Sequence, residues 1–138
     1  MKIVIIEDEE FAARRLKNMI NEYDSTIEVV AKLESVKESI DWFKNNEHPD
    51  LIFLDIHLED DLSFAIFQEV PISCAIVFTT ATDELATRAF QLKGIDFMLK
   101  PITQADLVNM IEKYRNKPTN EKPVDAHIFN EITNATHL

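Results

Sequence analysis

The sequence predicts an α/β fold in which one parallel sheet is covered by helices on both faces. Five short apolar runs alternate along the chain with segments whose apolar residues recur at helical spacing. The runs are apolar throughout, which is typical of parallel strands that are buried on both faces. Successive units of this kind form a parallel sheet through right-handed crossovers. At 138 residues, the chain is long enough for a single domain with a sizeable core.

Three strands and two helices are predicted in the first half of the chain. The strands are the apolar runs at residues 2–6, 27–33 and 51–54. The first helix spans about 9–22, and its apolar residues include Phe11, Leu16 and Ile20. The second helix begins after Ser35, which is a predicted N-cap with a glutamate three positions later, the pattern of a capping box.

Two strands and three helices are predicted in the second half. The strands lie at residues 74–79 and 95–99. Asp60 or Asp61 is the predicted N-cap of a short helix, and Asp83 and Thr103 are the predicted N-caps of the two longer helices. Gly94, the only glycine, follows the first of these longer helices, where a left-handed backbone conformation commonly ends a helix.

Composition narrows the classes of function. A formal net charge of -11 disfavours direct contact with nucleic acid, because phosphate binding needs clustered Lys and Arg. Glu7 interrupts the first apolar run, and no run approaches membrane-spanning length, so a cytoplasmic location is expected. Cys74 is expected to be a buried structural thiol. Residues 1–117 are predicted to form the domain, and the polar, proline-broken residues 118–138 a linker or tail.

Charged or hydroxyl side chains follow four of the five predicted strands. The residues concerned are Glu7 and Asp8, then Asp55, then Thr80, and finally Lys100. Because the carboxyl ends of parallel strands meet at one edge of the sheet, where such folds bind their ligands, these side chains should lie together. The sequence therefore predicts a magnesium-dependent, phosphoryl-accepting site at this edge.

The acidic residues suit a magnesium ion. A carboxylate can attack phosphorus only if the negative charge on both partners is offset, and Mg²⁺ does this while binding carboxylates, carbonyls and waters. Asp8 and Asp55 are the predicted direct ligands, and Glu7 is a predicted ligand through water. The backbone carbonyl of His57 is the simplest further ligand just beyond Asp55.

Two more residues suit the phosphoryl group. Lys100 can pair with its oxygens as a mobile charge, and the Thr80 hydroxyl can donate a hydrogen bond to them. Each residue also has an ordinary structural explanation, such as a helix-terminal charge, a turn aspartate or strand propensity. Residue types that suit this one chemistry occur at four separate strand ends, and this combination favours the functional interpretation.

Four segments, in this order and spacing, resemble the receiver domain of two-component response regulators over roughly residues 1–117. The segments are IVIIEDE at 3–9, LIFLDIHL at 51–58, AIVFTTA at 75–81 and DFMLKP at 96–101. The resemblance implies a flavodoxin-like, doubly wound (βα)5 fold with strand order 2-1-3-4-5. It also implies that Asp55 accepts a phosphoryl group from the phosphohistidine of a sensor histidine kinase.

The same resemblance implies roles for the other matching residues. These are Glu7 and Asp8 as the magnesium-binding pair, Lys100 as the phosphoryl-contacting lysine, Thr80 as the switch hydroxyl and Phe97 as the switch aromatic that rotates inward with it. Receivers commonly dimerise through the fourth helix, fifth strand and fifth helix, so a phosphorylation-dependent homodimer is expected. The candidate surface residues are Arg88, Gln91, Lys93, Asp106 and Lys113.

The stretches DIHLEDDLSFAIFQEV and FTTATDELATRAFQLKGIDFMLKPI look like receivers of the LytTR class. That class implies a C-terminal DNA-binding domain and a transcription-regulating output. Where it often has a glycine after the phosphoacceptor, this chain has Asp60-Asp61-Leu62. No output domain is present in this sequence, so the chain is either a stand-alone receiver or part of a longer regulator cut in its linker, and the polar tail favours the second.

Two other functions are weighed against a working receiver. A phosphorylation-independent pseudo-receiver that only binds proteins is disfavoured by the intact acidic pair, Asp55, Thr80 and Lys100. A magnesium-dependent phosphohydrolase of the haloacid dehalogenase type needs a second acidic residue two positions after its nucleophile, and His57 stands there instead. A single glycine also disfavours a flavin or dinucleotide site, whose phosphate-binding loop needs several.

Overall fold

A computed structural model of the chain describes residues 1–81 and 84–116. The strands are β1 (Lys2–Ile6), β2 (Glu28–Leu33), β3 (Leu51–Asp55), β4 (Ala75–Thr80) and β5 (Phe97–Leu99). The helices are α1 (Glu10–Tyr23), α2 (Val36–Asn45), α3 (Ile66–Glu69), α4 (Glu84–Lys93) and α5 (Gln104–Arg115), with a 3₁₀ turn (Ser63–Ala65) before α3. The strands pair in parallel in the order β2-β1-β3-β4-β5, which confirms the predicted fold class and strand order.

Helices cover both faces of this sheet. On one face, α1 and α5 pack with the strands into a buried cluster that includes Ile5 and Val77. On the other face, α2, α3 and α4 pack around Val4 and Phe78. Neighbouring residues of β1 are therefore buried on opposite faces, which is why its run is apolar without alternation. Full burial of one such side chain stabilises the fold by roughly 1.5–3 kcal/mol.

The predicted caps of α2 and α5 are confirmed. The Ser35 hydroxyl accepts a hydrogen bond from the Glu38 amide at 3.0 Å, and the Thr103 hydroxyl accepts one from the Asp106 amide at 3.2 Å. Each bond satisfies one of the amides that a helix leaves unpaired in its first turn. Asp83, the predicted cap of α4, lies outside the described residues.

Gly94 ends α4 as predicted. Its φ is 69°, in the left-handed region. Its amide donates to the Gln91 carbonyl at 3.3 Å, and the Ile95 amide donates to the Phe90 carbonyl at 2.9 Å. These two bonds form a Schellman motif. Because this motif uses the Ile95 amide, β5 begins only at Phe97, later than the predicted residue 95.

The predicted cap of the short third helix is wrong. The 3₁₀ turn begins at Ser63, and the residue before it, Leu62, makes no side-chain cap. Residues 57 and 62 form an antiparallel bridge instead, so the chain between them is a closed loop rather than the start of a helix. The Asp61 carboxylate accepts a hydrogen bond from the amide of its neighbour Leu62 at 2.7 Å and caps no helix.

Asp60 caps a different helix. One of its carboxylate oxygens accepts from the Val36 amide at 2.9 Å, and the other accepts from the Lys37 amide at 3.1 Å. Both amides belong to the first turn of α2, which lies beside this loop and offers unpaired donors. Burial acts to raise the pKa of Asp60, but several backbone amides, those of Val36 and Lys37 first, together outweigh it and hold the pKa below its ordinary value.

Four further points bear on the predictions. Cys74 is a free, buried thiol, and burial raises its pKa to about 12. Among the described helices, none combines the length and the hydropathy that crossing a membrane requires. Phe11, expected on the buried side of α1, is 72% exposed. The predicted linker or tail lies outside the described residues.

Replacing Gly94 by alanine should lower the free energy of unfolding by roughly 1–2 kcal/mol, the cost of a left-handed backbone for an L-residue. A Cβ atom at this position would meet nothing within 4 Å, so backbone conformation alone sets the cost. Gly94→Asn should cost less, because asparagine adopts this conformation more readily. Urea unfolding measures both variants. Equal losses for alanine and asparagine would contradict this account.

Candidate functional site

The candidate site lies at the carboxyl edge of the sheet, where the chain leaves the parallel strands β1 and β3 toward helices on opposite faces. Glu7 and Asp8 directly follow β1, and Asp55 is the last residue of β3. Thr80 is the last residue of β4, and Lys100 directly follows β5. The strand order reverses between β1 and β3, and such a switch point is where open α/β sheets bind ligands.

Lys100 joins two of the carboxylates. Its ammonium nitrogen lies 2.5 Å from Oε1 of Glu7 and 2.9 Å from Oδ2 of Asp55. Its backbone amide donates to the Thr80 carbonyl at 2.8 Å, which fixes the residue against the end of β4. Lys100 therefore ties the ends of β1, β3, β4 and β5 together.

The remaining oxygens of these two carboxylates accept backbone amides. Oε2 of Glu7 accepts from the Glu9 amide at 3.4 Å. Oδ1 of Asp55 accepts from the His57 amide at 3.3 Å, a local turn of the kind aspartate commonly makes. Both carboxylates are thus held in place, and both are buried, with Glu7 5% and Asp55 6% exposed.

Asp8 completes an acidic group. One oxygen from each of Glu7, Asp8 and Asp55 lies within 4.8 Å of the others. Three carboxylates face one ammonium group, so the group carries an excess of negative charge when all are ionised. Carboxylates at this spacing are the ligands that Mg²⁺ prefers, together with carbonyls and waters, and the residues present therefore fit that ion.

The pKa values reflect this crowding. Burial raises the pKa of Glu7, and its contact with Asp55 raises it further, against the lowering effect of Lys100. Burial and the neighbouring Glu7 also raise the pKa of Asp8. Burial lowers the pKa of Lys100, but its hydrogen bonds to Glu7 and Asp55 outweigh this and leave the pKa raised. The lysine is firmly protonated, and Glu7 and Asp8 are ionised only at a cost in free energy.

The loop after Asp55 brings His57 to the site. The bridge between residues 57 and 62 is made by the Ser63 amide, which donates to Ile56 at 2.8 Å, and by the Leu58 amide, which donates to Asp61 at 3.1 Å. Neither bond uses the carbonyl of His57. His57 is exposed, and its backbone amide reaches the acidic group through the hydrogen bond to Asp55.

Thr80 and Phe97 adjoin this group rather than belong to it. Thr80 is 2% exposed, and its contact with Lys100 runs through the backbone. Phe97 is half-buried, and the centre of its ring lies 5.8 Å from that of Phe90 on α4. The structure thus brings Glu7, Asp8, Asp55 and Lys100 together, and it places the two predicted switch residues on the neighbouring strands β4 and β5.

Sequence reasoning missed two features near the site. One is the contact of Asp60 with α2, because no local pattern marks a cap supplied from another part of the chain. The other is a cavity of about 420 Å³ between α1 and the segment after β5, whose lining includes Phe11, Lys100 and Ile102. Arg15 crosses its edge and donates to the Ile102 carbonyl at 3.0 Å.

Known proteins share this sequence pattern. The profile of the response regulator receiver domain matches residues 3–112. The transcriptional regulatory protein LytR of Staphylococcus aureus (strain bovine RF122 / ET3-1) is 35% identical over 137 residues, which are 97% of this chain and 53% of that protein. The sensory transduction protein LytT of Bacillus anthracis is 32% identical over 120 residues, which are 85% of this chain and 48% of that protein. The chain spans about half the length of these curated relatives.

A solved structure shares the fold as well. The crystal structure of the response regulatory domain of protein mrkE from Klebsiella pneumoniae superposes with a TM-score of 0.70 at 31% sequence identity. The superposition covers 83% of this chain and 95% of that one.

Asp8→Asn should raise the melting temperature of the cation-free protein at neutral pH by a few degrees. A carboxyl group whose pKa is raised on folding destabilises the folded state above that pKa. The penalty disappears as the pH falls through the raised pKa toward the ordinary value of 3.8. The advantage of the variant should therefore shrink on acidification, as followed by circular dichroism melts with a chelator present.

Glu9→Gln is the matched control for this experiment. It removes the same charge from the next residue, whose side chain is exposed and lies outside the acidic group. Its melting temperature should stay close to that of the parent. An Asp8→Asn protein that melts below the parent at neutral pH would contradict the electrostatic account.

Proposed function

The chain belongs to the response regulator receiver family, and we propose that it accepts a phosphoryl group on Asp55 and converts it into a change of its interaction surface. The observation that carries the proposal is the contact of buried Asp55 with Lys100, inside a group of three carboxylates. A buried carboxylate beside two others and one lysine has the surroundings that phosphoryl transfer to an acid requires.

The chemistry is a phosphoryl transfer between two proteins. An oxygen of Asp55 forms a bond to phosphorus while the bond from phosphorus to the donor's histidine nitrogen breaks, and the donor keeps that electron pair. Glu7, Asp8, Asp55 and the His57 carbonyl would hold Mg²⁺, with Glu7 acting through water. The ion, when bound, offsets the negative charge of the attacking and phosphoryl oxygens.

Lys100 serves both states of Asp55. Before transfer it neutralises part of the acidic charge through its contacts with Glu7 and Asp55. After transfer its ammonium group can pair with a phosphoryl oxygen, while the Thr80 hydroxyl donates to another. The dianionic acyl phosphate therefore has a cationic partner already in place.

Movement of Thr80 toward the phosphoryl group would vacate space that the Phe97 ring can enter. Phe97 is half-buried at the start of β5, against Phe90 of α4. Its rotation would shift the population of conformations of the surface formed by α4, β5 and α5. The exposure of the candidate surface residues supports a role for this surface in protein contacts. These residues are Arg88, Gln91, Lys93, Asp106 and Lys113.

The proposed donor is a sensor histidine kinase, and the proposed output is regulation of transcription. The names of the relatives LytT and LytR support both proposals. This chain matches only about half the length of those proteins, so the output would come from the other half. The receiver would act on it through the switch surface rather than by contacting nucleic acid itself, since a net charge of -11 opposes such contact.

Incubation with acetyl phosphate and Mg²⁺ should add the mass of one phosphoryl group to the parent protein. Asp55→Asn should abolish the addition, because an amide oxygen does not attack phosphorus as a carboxylate does. Omission of Mg²⁺ should abolish it as well. Intact-mass spectrometry measures the addition directly.

Asp50→Asn is a suitable control, since it alters an exposed aspartate at the opposite end of β3. It should be phosphorylated like the parent. If the parent gains no mass where an established receiver does, the chain is a phosphorylation-independent binding module and the proposal fails.

Phosphorylation should also shift the protein from monomer toward dimer through the switch surface. Arg88→Glu reverses a charge on that surface and should weaken the dimer without affecting phosphorylation. Lys44→Glu makes the same change on α2, away from that surface, and should leave dimerisation intact. Size-exclusion chromatography with light scattering measures the mass. A single unchanged mass with and without the phosphoryl group would disprove phosphorylation-dependent dimerisation.

A further inference from the structure

The first turn of α2 is held by side chains from two different parts of the chain. Ser35 accepts the Glu38 amide at 3.0 Å, as an ordinary local cap. The two carboxylate oxygens of Asp60 accept hydrogen bonds from the two amides that precede Glu38. One oxygen accepts from Val36 at 2.9 Å and the other from Lys37 at 3.1 Å. The two capping residues together satisfy three first-turn amides. A carboxylate bound through both oxygens has its position and its orientation fixed.

Asp60 sits at the tip of the loop that carries His57. At the base of this loop, Ser63 donates to the Ile56 carbonyl at 2.8 Å. Halfway along, Leu58 donates to the Asp61 carbonyl at 3.1 Å. The tip itself, residues 59–61, is exposed to solvent, so packing does little to hold it. The contacts of Asp60 with α2 anchor that tip to the body of the domain.

The base of the same loop is the candidate site. His57 donates its amide to Oδ1 of Asp55 at 3.3 Å, so the orientation of that peptide bears directly on the phosphoacceptor. Only Leu58 and Glu59 separate Asp60 from His57, so the contacts with α2 and the contact with Asp55 restrain the two ends of one short stretch of backbone. Fixing Asp60 therefore limits the rotations open to the His57 peptide.

We propose that Asp60 is a positioning residue that sets the affinity of the acidic site for Mg²⁺ through the loop of residues 56–62. The inference rests on the proposed function, because it takes Glu7, Asp8, Asp55 and the His57 carbonyl as the residues that hold the ion. Asp60 touches none of them. It acts by pre-organising the backbone at His57, in the way that outer residues orient the direct ligands of a metal.

The test compares substitutions of Asp60 with the same substitutions of Asp61. Both side chains are exposed and carry the same charge, but the Asp61 carboxylate accepts its hydrogen bond from the adjacent Leu62 amide and not from α2. Mg²⁺ alone is titrated into each protein and followed by calorimetry. Asp60→Ala should raise the dissociation constant on the order of tenfold, as loss of an outer-shell partner does. Asp60→Asn should raise it less, since its amide oxygen still accepts one bond.

Asp61→Ala should leave the dissociation constant within about twofold of the parent's, because it removes equal charge without releasing the loop from α2. Ser35→Ala should lower the melting temperature by removing the other cap of α2, yet leave Mg²⁺ affinity unchanged. The initial rate of phosphorylation by acetyl phosphate gives a second measure. Asp60→Ala should raise the Mg²⁺ concentration for half-maximal rate, with little change in the rate at saturation.

Equal effects of Asp60→Ala and Asp61→Ala would overturn the inference in favour of a general charge effect. An equal effect of Ser35→Ala would overturn it in favour of fraying of α2. Circular dichroism checks that each variant is folded, and Asp60→Asn provides the milder change if Asp60→Ala unfolds. A parent that neither binds Mg²⁺ nor accepts a phosphoryl group would instead refute the proposed function, and the inference with it.

Discussion

The contact of one lysine with two buried carboxylates is the constraint on which this structure depends. Without the ammonium group of Lys100, Glu7 and Asp55 would be buried anions with only backbone amides as partners, which costs several kcal/mol per group. With it, the ends of β1 and β3 are held together by charge as well as by the ladder of the sheet. The site is therefore tolerated by the fold, but it still has more negative than positive charge. That excess is the chemical reason for expecting a divalent cation.

Much of the fold could be predicted because its determinants are local. Unbroken apolar runs identify strands that are buried on both faces, and Ser35, Thr103 and Gly94 mark helix ends by their own side chain or backbone. The errors arose where the determinant is not local. Asp60 carries the same signal for capping the next helix as for capping a distant one, and only the packing of α2 beside the loop decides between them. Phe11 fits the helical period, but α1 begins at Glu10, so its first turn extends past the core.

That Glu7, Asp8, Asp55 and Lys100 lie close together could be predicted, but the contacts among them could not. Parallel strands bring their carboxyl ends to one edge whatever the register, so Glu7, Asp8, Asp55 and Lys100 had to lie near one another. Which oxygen faces the lysine depends on the pairing of β1 with β3 and of β4 with β5, and on the turn at His57. A one-dimensional pattern contains none of these. The roles of Thr80 and Phe97 depend on a second conformation, and they stay predictions for that reason.

The position of Lys100 also suggests how a local charge change could reach a distant surface. Lys100 follows β5 directly, and Phe97 is the first residue of that three-residue strand. In the structure the ammonium group of Lys100 contacts both Glu7 and Asp55. An acyl phosphate on Asp55 would add negative charge on the Asp55 side of Lys100. The stronger attraction would act on the end of β5 next to Lys100, and Phe97 lies at the other end of that strand. Because β5 is short and its partner β4 ends in Thr80, the hydroxyl and the aromatic ring can respond together. The proposed switch would need no long chain of contacts, since Asp55, Thr80 and Phe97 lie on the three adjacent strands β3, β4 and β5.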